Sequence, residues 1–166
     1  MNIHKRNAII LSPMRLTAYT DYTLRTLMHL AMNRDRLVTI QDIADLHNIS
    51  KNHLMKVAHQ LGLSGMVETV RGRNGGLKLS KAPTQINIGE VVRSTENDFF
   101  MAECFDHVDT CCAYAPACAL KSVLSQATVA YLAVLDDVTL EDLIGKRGGR
   151  TDLSTKSNTI RLHVKK

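Results

Sequence analysis

A chain of 166 residues, 45% apolar and 22% charged, is long enough to bury the core of one compact domain, or of a smaller domain with an attached arm. It holds no run near the roughly 18 to 20 apolar residues of a membrane helix. The stretch from Ala8 to Leu11 behind Lys5 and Arg6 is too short for the core of a signal peptide, so the sequence reads as cytoplasmic, with no membrane partner.

The formal charge of +5 is spread unevenly. Residues 14–81 hold ten Lys/Arg against five Asp/Glu, residues 82–144 two against ten, and the segment from Gly145 seven against one. A basic first half beside an acidic second half points to a polyanion-binding module joined to something else, and nucleic acid is the usual polyanion.

Residues 1–13, MNIHKRNAIILSP, precede the patterned sequence that starts at Met14 and read as an N-terminal extension, native or the product of a misplaced start. From Thr17 to Met32, Leu24, Leu27, Met28 and Ala31 recur at helical spacing. Thr39 caps a second helix with Ile40, Ile43 and Ala44 turned inward and Asp42 at the capping-box position. After a short turn at His47 to Ile49, Ser50 caps a third. Its apolar face is Leu54, Val57, Ala58 and Leu61; its open face is Lys51, Asn52, His53, Lys56 and Gln60. Two short helices with a tight turn, the second polar and basic on its open side, make a helix-turn-helix. MVETVRGRNGGLKLS then alternates, turns through Gly72, Gly75 and Gly76, and alternates again, a hairpin with Arg71, Arg73 and Asn74 at its tip. A basic tip beside a reading helix is the wing of a winged helix, placed for phosphate or the minor groove. Residues 14–81 therefore read as a winged helix-turn-helix domain that meets double-stranded DNA through Ser50, Lys51, Asn52, His53, Lys56, Arg71, Arg73 and Asn74. The wing glycines lack the spacing of a phosphate-binding P-loop.

Residues 82–118 read as a linking helix, Ile88 to Thr95, followed by the segment CFDHVDTCCAYAPAC, which holds all four cysteines. ALKSVLSQATVAYLAVLDDV then predicts a long helix with Leu120, Val123, Leu124, Ala127, Tyr131, Val134, Leu135 and Val138 on one broad stripe. A reader with a single helix-turn-helix binds a palindromic site as a homodimer, and this stripe is a natural dimer surface. Thr139 caps a final short turn that completes residues 119–144, and the Gly/Ser/Thr-rich residues 145–166 read as a disordered basic tail. The fold class is mainly α with a small β-hairpin: a winged helix-turn-helix plus a long C-terminal dimerisation helix.

Clustered cysteines in a reducing compartment are ligands or redox groups more often than disulfides, and adjacent Cys111 and Cys112 make a disulfide framework awkward. Three thiolates on one segment, with a fourth ligand from elsewhere, suit a soft metal or an iron-sulfur cluster. The spacing admits two registers, C-x7-C-x5-C through Cys112 or C-x6-C-x6-C through Cys111. Neither is the paired C-x-x-C of a zinc knuckle, although zinc binding and cysteine oxidation stay open, as does an iron-sulfur or thiol redox enzyme. Against an enzyme, there is no nucleotide fingerprint and no Ser/His/Asp order. Asp21 and Arg25, spaced i, i+4, read as a helix-surface ion pair, and His107 as a solvated loop histidine.

MRLTAYTDYTLRTLMHLA, VRGRNGGLKLS, ECF, CAYAPACALK and LDDVTLEDLI, in that order over about residues 14–144, resemble the small winged-helix iron-sulfur repressors, and among them the nitric-oxide-sensing kind. The resemblance implies a cluster, of the 4Fe-4S rather than the 2Fe-2S type, held by Cys104, Cys112 and Cys118 of one subunit and completed by Asp21 of the partner subunit. CAYAPAC matches the second and third cysteines of that family, which leaves Cys111 as an extra thiol. Relatives that regulate iron-sulfur assembly carry a histidine three residues after the third cysteine, where this chain has Lys121. The implied activity is repression relieved when nitric oxide attacks the cluster, which frees nitrosative-stress genes.

Overall fold

The computed structural model describes residues 15–102, 105 and 118–145. Six helices and one hairpin follow in chain order: α1 (Ala18–Met32), α2 (Ile40–His47), α3 (Lys51–Leu63), β1 (Val67–Val70), β2 (Gly76–Leu79), α4 (Ile88–Thr95), α5 (Ala119–Asp136) and α6 (Leu140–Ile144), with a 3₁₀ turn at Pro83–Gln85.

Their ends are where the capping residues put them. Thr17 accepts a hydrogen bond from the Thr20 N–H at 3.3 Å, and Asn87 does the same for Glu90 at 3.0 Å. Thr39 and Asp42 form a reciprocal capping box, as do Thr139 and Asp142. The turn between α2 and α3 is closed by Asn48 in the left-handed region at φ 52°, a conformation that asparagine tolerates better than most residues. Ser50 occupies the N-cap of α3 as expected, but its hydroxyl makes no cap bond.

Burial follows the helical period. Leu27 and Leu30 of α1, Ile43 of α2, Leu54, Val57 and Leu61 of α3, Val91 and Val92 of α4 and Leu140 of α6 form one core. The hairpin joins it through Val67 and Leu77, paired in the register Val67↔Leu79 to Val70↔Gly76. Val38 and Leu77 exchange backbone hydrogen bonds at 3.0 and 2.8 Å, which ties the wing to the segment ahead of α2.

The second half is stitched back onto the first by backbone bonds. Ile88 donates to Val138 at 2.9 Å and Leu140 to Ile86 at 2.8 Å. Arg93 of α4 grips Asp136 of α5 with two hydrogen bonds of 2.5 and 2.6 Å, and Gly89 lets the two helices approach, since a Cβ there would run into the Asp136 carboxylate. Nothing on α5 is fully buried. Leu124, Thr128, Leu132 and Leu135 are half-buried, whereas Leu120, Val123 and Val134 on the neighbouring stripe are 62, 60 and 54% exposed. A bare apolar stripe on an otherwise anchored helix costs about 25 cal/mol for each Å² left in water.

His29 and His47 meet edge to face, with ring centroids 6.1 Å apart, and the Nε2 atom of each is shielded without a partner among the described residues. Burial, and then the charges of His47 and Arg36, hold the His29 imidazole below its ordinary 6.5. The unfolded chain therefore takes up a proton as pH falls through 6.5 while the folded one resists, so this site contributes stability above that pH and loses it below. Thermal melts of the wild type and of His29→Phe, which keeps a ring against His47, should diverge in slope between pH 7.5 and 5, the variant falling less. Parallel curves would remove His29 as a source of acid sensitivity.

Candidate functional site

The open face of α3 is basic, and its lysines make no ion pair among the described residues. Lys51, Asn52, His53 and Lys56 are all exposed in the first two turns, and the helix has no acid in its first turn. The positive end of its dipole adds to the side-chain charge. Arg71, Arg73 and Asn74 are exposed at the hairpin tip. The tip is shaped by Gly72 at φ 114°, a backbone that residues with a Cβ rarely adopt. Among the described residues, ion pairs engage Arg25, Arg36, Lys78 and Arg93, and leave Lys51, Lys56, Arg71 and Arg73 unpaired. Cations on one helix and one loop with no acid to hold them are free to neutralise phosphate. His53 differs from its neighbours: its ring stacks on Tyr22 of α1, centroids 5.9 Å apart and planes at 29°.

Of the expected cysteine site, Cys118 and Asp21 can be placed. Cys118 is the N-cap of α5, half-buried and free, and its thiol makes no cap bond, so nothing in the helix competes for the sulfur. Asp21 lies in the first turn of α1, where its Oδ1 accepts from Arg25 Nε at 2.9 Å in an exposed pair. This is the ion pair that the i, i+4 spacing predicts. Cys104, His107, Cys111 and Cys112 lie outside the described residues. Lys121, in the histidine position of the related branch, holds its Nζ 5.6 Å from the Phe105 ring centroid.

Between the start of α1 and the middle of α5 runs a groove of about 810 Å³, lined by Leu16, Glu96, Phe99, Phe100, Ala127 and Tyr131 among others. Glu96 accepts from both the backbone N–H and the hydroxyl of Thr17 at 2.8 and 3.2 Å. The sequence held no signal for this contact, nor for the Arg93–Asp136 and Tyr22–His53 contacts, because each joins residues more than 30 positions apart.

A reading helix, a wing and a half-anchored C-terminal helix in this order have known counterparts. Residues 16–146 match the Rrf2 model, described as an iron-dependent transcriptional regulator. The chain belongs to the Rrf2 family. It is 58% identical over 132 residues to the HTH-type transcriptional regulator NsrR of Bacillus licheniformis, covering 79% of this chain and 92% of that protein. The NsrR of Bacillus subtilis is 56% identical, with 79 and 90% covered. Among solved structures, CymR, the global cysteine regulator of B. subtilis, superposes with a TM-score of 0.65 at 25% identity, over 80% of this chain and 98% of that one. As an Rrf2 protein the chain is a DNA-binding transcriptional regulator, not an enzyme, which sets aside the redox-enzyme reading.

In a winged helix-turn-helix, side chains on the first turns of the recognition helix can reach base edges, whereas a wing is suited to backbone or the minor groove. Asn52→Ala should relax preference at the base pair it meets by roughly 1 to 3 kcal/mol, because its amide can both donate to and accept from adenine. Arg73→Ala should weaken all sequences evenly and lower the salt slope by about one unit. Site selection with both variants at two salt concentrations checks the assignment; an exchange of the two phenotypes would reverse it.

Proposed function

We propose that the chain is a homodimeric repressor of palindromic operators that senses nitric oxide through an iron-sulfur cluster, of the 4Fe-4S type, and on sensing it releases genes of nitric-oxide detoxification. The ligands in this reading are Cys104, Cys112 and Cys118, with Asp21 of the partner subunit. What supports it is the thiol of Cys118 at the N-cap of α5, in a chain whose NsrR relatives match at 58 and 56% identity. The dimer is supported by the exposed stripe of Leu120, Val123, Tyr131 and Val134.

The donor set fits such a group. Three thiolates are the ordinary ligands of cluster iron, and a single carboxylate is harder, more weakly matched and easier to displace. When bound, the cluster supplies iron that nitric oxide can attack. The remaining steps belong to the protein. Asp21 is held by an exposed pair with Arg25, the kind worth about 0 to 1 kcal/mol, so its carboxylate can turn to another partner at little cost. Cys118 caps α5, so any pull on its sulfur is applied to the first turn of that helix. The far end of α5 is fixed to α4 by Arg93 and Asp136, and Glu96, which caps the end of α4, holds the N-cap of α1. A loss of ligands at the cysteines thus reaches α1 and, through the shared core, α3. Release of DNA requires that the ligated dimer bind DNA better than the unligated one; a coupling of about 1 to 3 kcal/mol would change affinity about 5- to 150-fold.

Anaerobic purification followed by iron and sulfide analysis, an absorption spectrum, and DNA binding before and after a nitric-oxide donor tests the reading. Iron with matching sulfide and DNA release on treatment are expected; zinc, or a protein that responds only to thiol oxidants, would replace it. Cys104→Ala, Cys112→Ala and Cys118→Ala should each lose iron, while Cys111→Ala keeps it. Bleaching by Cys111→Ala with retention by Cys112→Ala would move the register to C-x6-C-x6-C. Asp21→Ala should fold normally and change the rate of reaction with nitric oxide; an unchanged rate would leave Asp21 as no more than the partner of Arg25.

A further inference from the structure

Tyr22 follows Asp21 directly on α1, and the helical period turns the two side chains about 100° apart around the axis. Asp21 stands in the open with Arg25. Tyr22 is half-buried and turns to α3, where its ring lies against His53 at a centroid distance of 5.9 Å. Among the described residues, His53 is the only one of Lys51, Asn52, His53 and Lys56 whose side chain has a partner within the protein. Three readers are therefore loose, and one is set by α1.

We propose that Tyr22 is a positioning residue for DNA reading: its stack on His53 carries the position of the first turns of α1 to the base-reading turn of α3. This rests on the reading of Asp21 given above. A helix turn is stiff, so a force applied to Asp21 by a partner subunit moves Tyr22 with it. The packing of α1 on α3, within the core that holds Leu27, Leu30, Leu54 and Val57, joins the two helices but lies beneath the reading face. The Tyr22–His53 stack sits at its edge, in the turn whose backbone bond runs from the His53 N–H to the Ser50 carbonyl at 3.1 Å. Stacked rings prefer a narrow set of offsets. A displaced Tyr22 therefore either takes the imidazole with it or leaves it as loose as its neighbours.

A tyrosine with a merely structural role would weaken DNA binding equally in both states of the protein. A positioning tyrosine changes their ratio. The full chain, purified anaerobically, would be titrated with a DNA site selected on the wild type, before and after removal of iron by a chelator. In the wild type the iron-free protein should bind more weakly. Tyr22→Phe, which keeps the ring, should preserve that ratio. Tyr22→Leu should lower it by about 2- to 13-fold, the worth of an aromatic pair, with unchanged iron content. In the iron-free chain the NMR resonances of the His53 ring should move in Tyr22→Leu and stay in place in Tyr22→Phe. His53→Ala removes the stack from its exposed side; it should lower the ratio as Tyr22→Leu does, and it serves in its place if Tyr22→Leu does not fold. A wild-type ratio retained in both Tyr22→Leu and His53→Ala would overturn the role of Tyr22 alone. A wild type whose affinity ignores iron would overturn the proposed function, and this inference with it.

Discussion

The burial of one face of α1 is the constraint on which the rest of the molecule depends. Leu27 and Leu30 have almost no exposure, and α3, α4, α6 and β2 all pack against this helix. Truncating a core leucine of this kind costs about 2 to 5 kcal/mol, a large share of the stability of a domain this size. The same helix carries Thr17 at its start, Asp21 and Arg25 on its open side, and Tyr22 against the reader. The helix-turn-helix and the later helices α4 and α6 are thus packed on a single helix.

That arrangement gives a physical meaning to the weakness of α5. Its inner residues are only half-buried, and its outer stripe is apolar and exposed. What fixes it is polar and terminal: the paired hydrogen bonds of Arg93 to Asp136, the Asn87 amide on the Asp136 carbonyl at 2.6 Å, and the backbone bond from Ile88 to Val138. The Asp136 carboxyl is held below its usual range by the Arg93 hydrogen bonds. α5 is thus pinned by polar contacts at its C-terminal end and uncovered along one side, with Cys118 at its N-cap.

Much of this was legible in the sequence because it is local. Thr39 with Asp42 and Thr139 with Asp142 announce helix starts, and the spacing of Leu54, Val57, Ala58 and Leu61 announces which face of α3 is inward and therefore which face is left for DNA. The alternation around Gly72 to Gly76 marks the wing for the same reason. Long-range contacts leave no such trace: nothing in TDY or NHL says that the tyrosine and the histidine meet, and Glu96 has no periodic partner that points to Thr17. Ser50 shows the limit of a local rule in the other direction. It stands where a cap belongs and makes no cap bond, which leaves its hydroxyl at the mouth of the DNA-facing helix.

The division of charge completes the argument. Residues 14–81 hold ten cations against five acids, and residues 82–144 two against ten, so a duplex that meets the basic face of α3 and the wing is repelled by the half that carries Cys118 and α5. Over a Debye length of about 8 Å at physiological salt this repulsion acts at the surface of contact and not through the whole molecule. It favours a duplex seated on the basic residues over one seated on the acidic ones. Among the described residues, α1 packs against α3 and also against α4 and α6, so a change in the acidic half that alters DNA binding has a path to α3 through this helix.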